Sequence, residues 1–359
     1  MEFKLKTLTP IWTGGVEGKC DRLHETGIIG SLRWWYEALV RGLGGYACDP
    51  TSERKDERCE LSGKEKDNEE REKKLCPACY LFGCSGWKRQ FRLEVVNKIP
   101  KIPFQLATLD KEGKGNYWWL SQIFENATRL FFGNITLRFN PIGERKNEII
   151  TQLKALVSIM SSVGAIGAKN QYGFGLFEWE EKMELKSAIE QIKKFLNTHQ
   201  FKSVSNKAEW YSLRNFWFYE LKLPSENQLV QCFKKATVIG EGPLSENCLP
   251  VSFDIRYKLP QNSQHGLRES FYLKKGKQMA QAIFGTLKGN EKMGSRIFVS
   301  HLFKKQEGED AYWLRVWGFS ENYVGEAVGD ELKKIFELEH KPEIKRGIEL
   351  IEGGKSNEV

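Results

Sequence analysis

The chain has 359 residues, more than a single hydrophobic core usually serves, so two domains are expected. Its 40% hydrophobic content supports real cores, yet the longest apolar-rich runs, Ala155–Met160 and Phe216–Tyr219, fall far short of the roughly 20 residues that cross a bilayer. Eight cysteines are too few for a disulfide scaffold, and 55 Lys and Arg against 47 Asp and Glu leave +8, a balance that suits a polyanion partner without demanding one.

Residues 2–9 alternate apolar and polar side chains, which predicts a strand and lacks the apolar core of a secretory signal. The chain is therefore expected in the cytoplasm, with thiols rather than disulfides. Pro10–Gly18 (PIWTGGVEG) reads as a glycine-rich loop. Gly30 and Ser31 offer an N-cap for a helix in which Leu32, Trp35, Leu39 and Leu43 recur at helical spacing until Gly42, Gly44 and Gly45 stop it. Arg33, Glu37 and Arg41 lie four residues apart, on one edge expected to be exposed. From Thr51 to Lys74, within an insertion over about 49–75, charges of both signs dominate and a mobile surface segment is expected.

Strands are predicted over Phe91–Val96 and Asn134–Asn140. A helix then spans about Asn147–Val163, followed by the loop Gly164–Gly175 and a strand over Leu176–Trp179. Glu184–Leu196 is an amphipathic connecting helix in a linker spanning 184–204. The second half offers strands over Trp210–Leu223 and Val251–Lys258, a helix over Lys275–Phe284, strands over Arg296–Phe303 and Tyr312–Phe319, and a helix over Glu331–Leu350. One internal echo supports two related halves. Leu81-Phe82-Gly83, a basic connector (Trp87, Lys88, Arg89) and a strand at Phe91 are matched by Ile283-Phe284-Gly285, a basic connector (Lys288, Lys292, Arg296) and a strand at Ile297.

The segment GAIGAKNQYGFG, residues 164–175, is the strongest local signal. A Walker loop places its lysine after the last glycine and before a helix, whereas Lys169 follows Ala168 and the loop runs from helix to strand, so a nucleotide P-loop is excluded. The dinucleotide fingerprint fails for the same reason of order. Two readings remain. Gly164, Gly167 and Gly173 can let backbone approach a phosphate-sugar chain, with Lys169 as the charge and Asn170, Gln171 and Tyr172 as base or ribose contacts; or the glycines serve only a tight connection.

Three stretches, LTPIWTGG at the start, GSLRWW at Gly30–Trp35 and GAIGAKNQYGFG, together with the L-F-G of Cys76–Gly83, resemble RAMP proteins of type III CRISPR effectors, above all those of the type III-B (Cmr) complex. The likeness covers most of residues 1–180 and reaches 205–359 only through the Ile283–Ser300 echo. It implies an α+β fold of two tandem ferredoxin-like (RRM-related) domains, residues 1–183 and 205–359, with antiparallel sheets and flanking helices. It also implies a non-catalytic, RNA-binding subunit that holds guide or target RNA among other effector subunits in antiviral defense. Carried onto this sequence, the family's glycine loop falls on Gly164–Gly175 and its basic first helix on Arg33–Arg41. Arg22 is a phosphate contact by position, and Trp34 and Tyr172 are candidates for stacking, Trp34 being equally suited to a core. The second half shows no late glycine loop, since Gly325 and Gly329 stand in an acidic setting.

Two alternatives stay open. His24, in the loop before the basic helix, can act as a general acid or base on a ribose 2′-hydroxyl, which would make the chain a metal-independent endoribonuclease; an ordinary loop histidine near phosphate is the preferred reading. A scaffold without RNA contact would use its rings, Trp118 and Trp119 among them, on sister subunits. No cofactor is required. Cys76-x-x-Cys79 is half of a zinc site that Cys48, Cys59 or Cys84 can complete, the other reading being plain thiols.

Overall fold

The computed structural model describes residues 1–15, 17–50, 52, 57–97, 99–103, 129–204, 211–236, 247–257, 259, 265–286 and 292–352. Trp118, Trp119, Lys288 and Trp210 lie outside these residues.

In β1 (Glu2–Thr7) burial alternates strictly, Phe3, Leu5 and Thr7 inward and Glu2, Lys4 and Lys6 outward, as a half-buried strand requires. α1 (Glu25–Gly42) follows after the loop. It begins earlier than the Gly30-Ser31 cap predicts, because Thr13 Oγ1 accepts the His24 N–H at 2.9 Å and holds His24 in the extended N-cap conformation, with Glu25 in the first turn. Ser31 lies within the helix and donates to Ile28 O at 2.8 Å.

After α1, the described part of the charged insertion lies largely exposed and is anchored at a few buried residues, Cys59, Leu61, Glu65 and Glu72. α2 (Asn68–Lys74) buries Glu72, which meets Arg145 at 2.5 Å and His199 at 3.1 Å. The partners come from distant segments, which the composition of the insertion cannot reveal. α3 (Pro77–Phe82) is wholly buried.

Next come β2 (Phe91–Val95), the small pair β3 (Lys101–Pro103) and β4 (Arg129–Phe131), β5 (Asn134–Pro141), α4 (Lys146–Val163), β6 (Phe177–Trp179) and α5 (Leu185–Thr198). The first sheet is antiparallel throughout, in the order β2-β5-β1-β6, with Phe3 opposite Leu137 and Leu5 opposite Trp179. Helices α1 and α4 follow its strands β1 and β5, so the frame is βαββαβ.

The second half contains β7 (Phe216–Pro224), α6 (Gln228–Ala236), β8 (Cys248–Leu249), α7 (Ser252–Arg256) and α8 (Leu267–Phe284). β9 (Ile297–Val299), β10 (Leu302–Phe303), β11 (Ala311–Phe319), α9 (Asn322–Ile335), β12 (Lys345–Arg346) and α10 (Gly347–Glu352) complete it. β9 and β10 both pair with β11 and read as one strand broken at Ser300 and His301. The order β12-β7-β11-β9 repeats that of the first sheet.

Two expectations fail here. Within the stretch expected as a strand over Val251–Lys258, whose last residue lies outside the described ones, Ser252–Arg256 form the helix α7; every residue of 252–256 is buried, so the apolar alternation did not mark a single face. The continuous helix over Glu331–Leu350 is two helices: α9 ends at Ile335, Glu337 takes a left-handed φ of 50°, and Pro342 follows before α10 begins at Gly347.

The internal echo has a structural counterpart. Gly83 (φ 87, ψ 160) and Gly285 (φ 80, ψ 166) each end a helix in the same backbone conformation. Leu81 O then accepts from Gln90 N at 3.0 Å, and Ile283 O from Arg296 N at 2.8 Å.

β7 explains how the halves join. Its odd residues, Trp217, Tyr219, Leu221 and Leu223, enter the second core, while Phe216 and Phe218 enter the first, beside Trp35 of α1. Arg315 of β11 bridges the same junction, donating to Glu220 Oε2 at 2.7 Å and to Ser161 O of α4 at 3.2 Å.

Candidate functional site

The loop Gly164–Gly175 lies where the two halves meet, and its backbone is held on every side. Ala168 N donates to Trp12 O at 2.8 Å, Gly175 N to Pro10 O at 2.8 Å, and Gly167 N to Ser31 Oγ at 2.9 Å. From the second half, Ser252 Oγ donates to Tyr172 O at 2.6 Å, and the Tyr172 ring stacks on Phe253 with centroids 5.0 Å apart and planes 11° apart. Asn170 turns inward, its Nδ2 donating to Phe174 O at 3.0 Å. A small core of Trp12, Leu130, Phe174, Cys248 and Phe253 lies beneath.

Gly175 has φ 89 and a Cβ there would run into Ile166 O, and the two glycines that flank Lys169 are obligatory for the same reason. Gly167 has φ 81, and a Cβ there would lie 2.5 Å from Trp12 O; Gly173 has φ 93, and a Cβ would come within 2.8 Å of Ser252 and of His301 N. Between them Lys169, a residue with a Cβ, adopts φ 59 and places Nζ 3.9 Å from the centre of the Trp12 ring. The loop is therefore preset, and Lys169, Asn170, Gln171 and Tyr172 are all half-buried along it. Trp12 and Ser252 were not singled out in the sequence; for Trp12 the signal was its place beside the Gly14-Gly15 pair.

Arg22 and His24 sit in the neighbouring loop. The Arg22 side chain is 60% exposed and donates to Glu25 Oε2 at 2.8 Å. His24 Nε2 meets Asp21 Oδ1 at 2.6 Å, and this hydrogen bond holds the Asp21 carboxyl below the usual carboxylate range. The His24 ring packs against Gly15, where a Cβ would lie 2.8 Å from it.

Arg33, Arg41 and Trp34 are placed differently from the exposed edge expected of them. Arg33 donates to Glu37 Oε1 at 2.8 Å, Gly83 O at 2.8 Å and Cys79 Sγ at 3.2 Å. Arg41 is buried, donating to the carbonyls of Ala47 and Cys48. Burial pushes the Glu37 carboxyl up from its ordinary value. Trp34 lies among Trp35, Tyr211, Phe298 and Phe319. For Trp34 the cause is the second half, whose rings cover that flank of α1; for Arg33 and Arg41 it is the first half's own segment from Ala47 to Gly83, which binds them from the other side.

The open face of the first sheet offers no rings for stacking among the described residues. It carries Glu2, Lys4, Lys6, Arg92, Glu94 and Arg138, while Phe3, Phe91, Phe139, Phe177 and Trp179 all point inward. The corresponding face of the second is packed against the first half. Below α1, four buried cysteines, Cys48, Cys59, Cys76 and Cys79, bring their sulfurs within 4.8 Å of one another. Cys84, the other candidate for this group, is only half-buried and lies outside it. Among the described residues, no helix is long and apolar enough to cross a membrane.

Two α+β frames of like strand order, with a glycine loop locked at their junction, define the class of protein. Residues 4–178, just under half of the chain, match the sequence model of the RAMP superfamily. No curated protein sequence matches the chain. Among solved structures the chain is similar to Cmr1 from Pyrococcus furiosus in its apo form, at 13% identity and a TM-score of 0.45, over 98% of this chain and 95% of that one. It is also similar to chains of two cryo-EM structures of a type III-B Cmr-beta complex. One, bound to cognate target RNA and AMPPnP in the presence of ssDNA, gives 13% identity and a TM-score of 0.43, over 94% and 99% of the two chains. The other, bound to cognate target RNA, gives 13% and 0.41, over 93% and 98%.

Proposed function

We propose that the chain is a non-catalytic RNA-binding subunit of a type III-B (Cmr) CRISPR effector, most like its first RAMP subunit, with single-stranded guide or target RNA and sister effector subunits as partners. In this reading residues 1–183 and 205–359 are two ferredoxin-like domains joined by 184–204. The observation that carries it is the locked loop Gly164–Gly175, which sets Lys169 over Trp12 of the loop that also carries exposed Lys19 and Arg22, within the residues that match the RAMP superfamily model. A preset backbone and a few cations suit a phosphate chain, which is held by charge and close approach rather than by a deep pocket. Phosphate contact falls to Lys169 and Arg22. Arg33, Arg41 and Trp34 act instead by holding α1 in place.

The test is binding of labelled single-stranded RNA to the purified chain at two salt concentrations without divalent ions, followed by a gel of the RNA. Salt-sensitive binding with intact RNA supports the subunit. The short His24–Asp21 pair favours one second reading, an endoribonuclease in which Asp21 orients the imidazole. Cleavage that persists in wild type and vanishes in His24→Ala would put that reading first, and absence of binding would leave a scaffold.

A further inference from the structure

We propose that Cys48, Cys59, Cys76 and Cys79 bind one structural Zn²⁺ in a four-thiolate site, with Arg33 as the positioning residue that holds it to α1. The four thiols come from three separate segments and all are buried. Their mutual Sγ distances, none above 4.8 Å, bracket the edge of a tetrahedron with Zn–S bonds of about 2.3 Å, which is about 3.8 Å. The sulfurs of Cys48 and Cys79 are 3.3 Å apart, well beyond a disulfide bond of about 2.05 Å.

The surroundings are those of thiolates rather than of packed thiols. Cys76 N donates to Cys59 Sγ at 3.2 Å, Cys79 N to Cys76 Sγ at 3.4 Å, and Arg33 Nη2 to Cys79 Sγ at 3.2 Å. Zn²⁺ with four thiolates carries a net charge of −2, and a buried anion needs a nearby cation and N–H donors. Arg33 supplies the cation. Its Nη1 binds Gly83 O and its Nε binds Glu37, while Arg41 secures the carbonyls of Ala47 and Cys48 beside the first ligand. The two arginines of α1 thus have a role in the interior: they fasten the charged insertion, through its metal, to the first helix. The site is independent of RNA.

The full chain, purified without chelator or added metal, is expected to contain one zinc per molecule by elemental analysis. Replacement with Co²⁺ should give the visible bands of tetrahedral cobalt thiolate, and the four cysteines should resist alkylation until a chelator is added. Cys79→Ser and Cys59→Ser should lose the metal, and Cys84→Ser should keep it. Arg33→Met should retain zinc with 10- to 100-fold weaker affinity in chelator competition, partly rescued in Arg33→Lys. If a cysteine variant fails to fold, the wild-type zinc content and alkylation pattern still decide. A metal-free chain whose four thiols alkylate at once, a Cys48–Cys79 disulfide by mass, or iron in place of zinc would overturn the assignment.

Discussion

In the first half the connection from α4 to β6 is the glycine loop, with Lys169 raised on a left-handed backbone above Trp12. In the second half the connection at the same place in the frame, from α9 to β12, is residues 336–344, Phe-Glu-Leu-Glu-His-Lys-Pro-Glu-Ile. Its Lys341 is bound by Glu326 at 2.8 Å and Asp330 at 2.9 Å. One strand order therefore carries two surfaces of different use. The first connection is shaped by glycines and docked on the other half, and the second is acidic and closed on itself. In the proposed reading function lies in the connections, because the open face of the first sheet carries charges without rings and that of the second is taken up by the junction.

The comparison breaks most readily at the junction. Gly173→Val puts a branched Cβ at φ 93 against Ser252 and His301 and should cost about 3 kcal/mol in denaturant unfolding; a cost near zero would mean that the halves are not locked through this loop. His301 tests the same contact by pH. Burial drops its pKa to about 3. Between the ordinary value near 6.5 and 3 the unfolded chain binds a proton that the folded chain does not, so stability is retained above pH 6.5 and lost as pH falls. By pH 5 the loss should be about 2 kcal/mol, and His301→Gln should flatten that slope. Lys169→Ala should lower the slope of log affinity for single-stranded RNA against log salt by about 0.7, whereas Lys341→Ala should leave it unchanged. The smallest effect sharpens the contrast from the other side: Glu337→Gly relieves a left-handed residue in the second connection and should stabilise the chain by under about 1 kcal/mol, read as a small rise in Tm.

Much of the frame was legible because each element shows its period on one face. The strands at Phe91, Asn134 and Tyr312 and the helices α4 and α5 came out within a few residues, and the Gly83–Gly285 echo was visible as a tripeptide. What misled were segments buried on more than one side. α1 is covered by the first sheet, by the second half and by the cysteine cluster, so Arg33 and Arg41 are interior although their spacing reads as a solvated edge. Burial on all sides likewise hid the helix Ser252–Arg256 inside a stretch that reads as a strand. The N-cap of α1 depends on Thr13, eleven residues before His24, and no local motif announces such a pairing. At the site, Lys169 and its glycines were readable, but Trp12 and Ser252, which fix their geometry, come from elsewhere in the chain.

The most direct measurement is photo-crosslinking of 4-thiouridine-labelled single-stranded RNA to the purified chain, with the modified peptides mapped by mass spectrometry. Crosslinks should fall on residues 164–175 and on the adjoining loop at 10–24, and should diminish in Lys169→Ala. Crosslinks confined to the second half, or spread without preference for the glycine loop, would contradict the account.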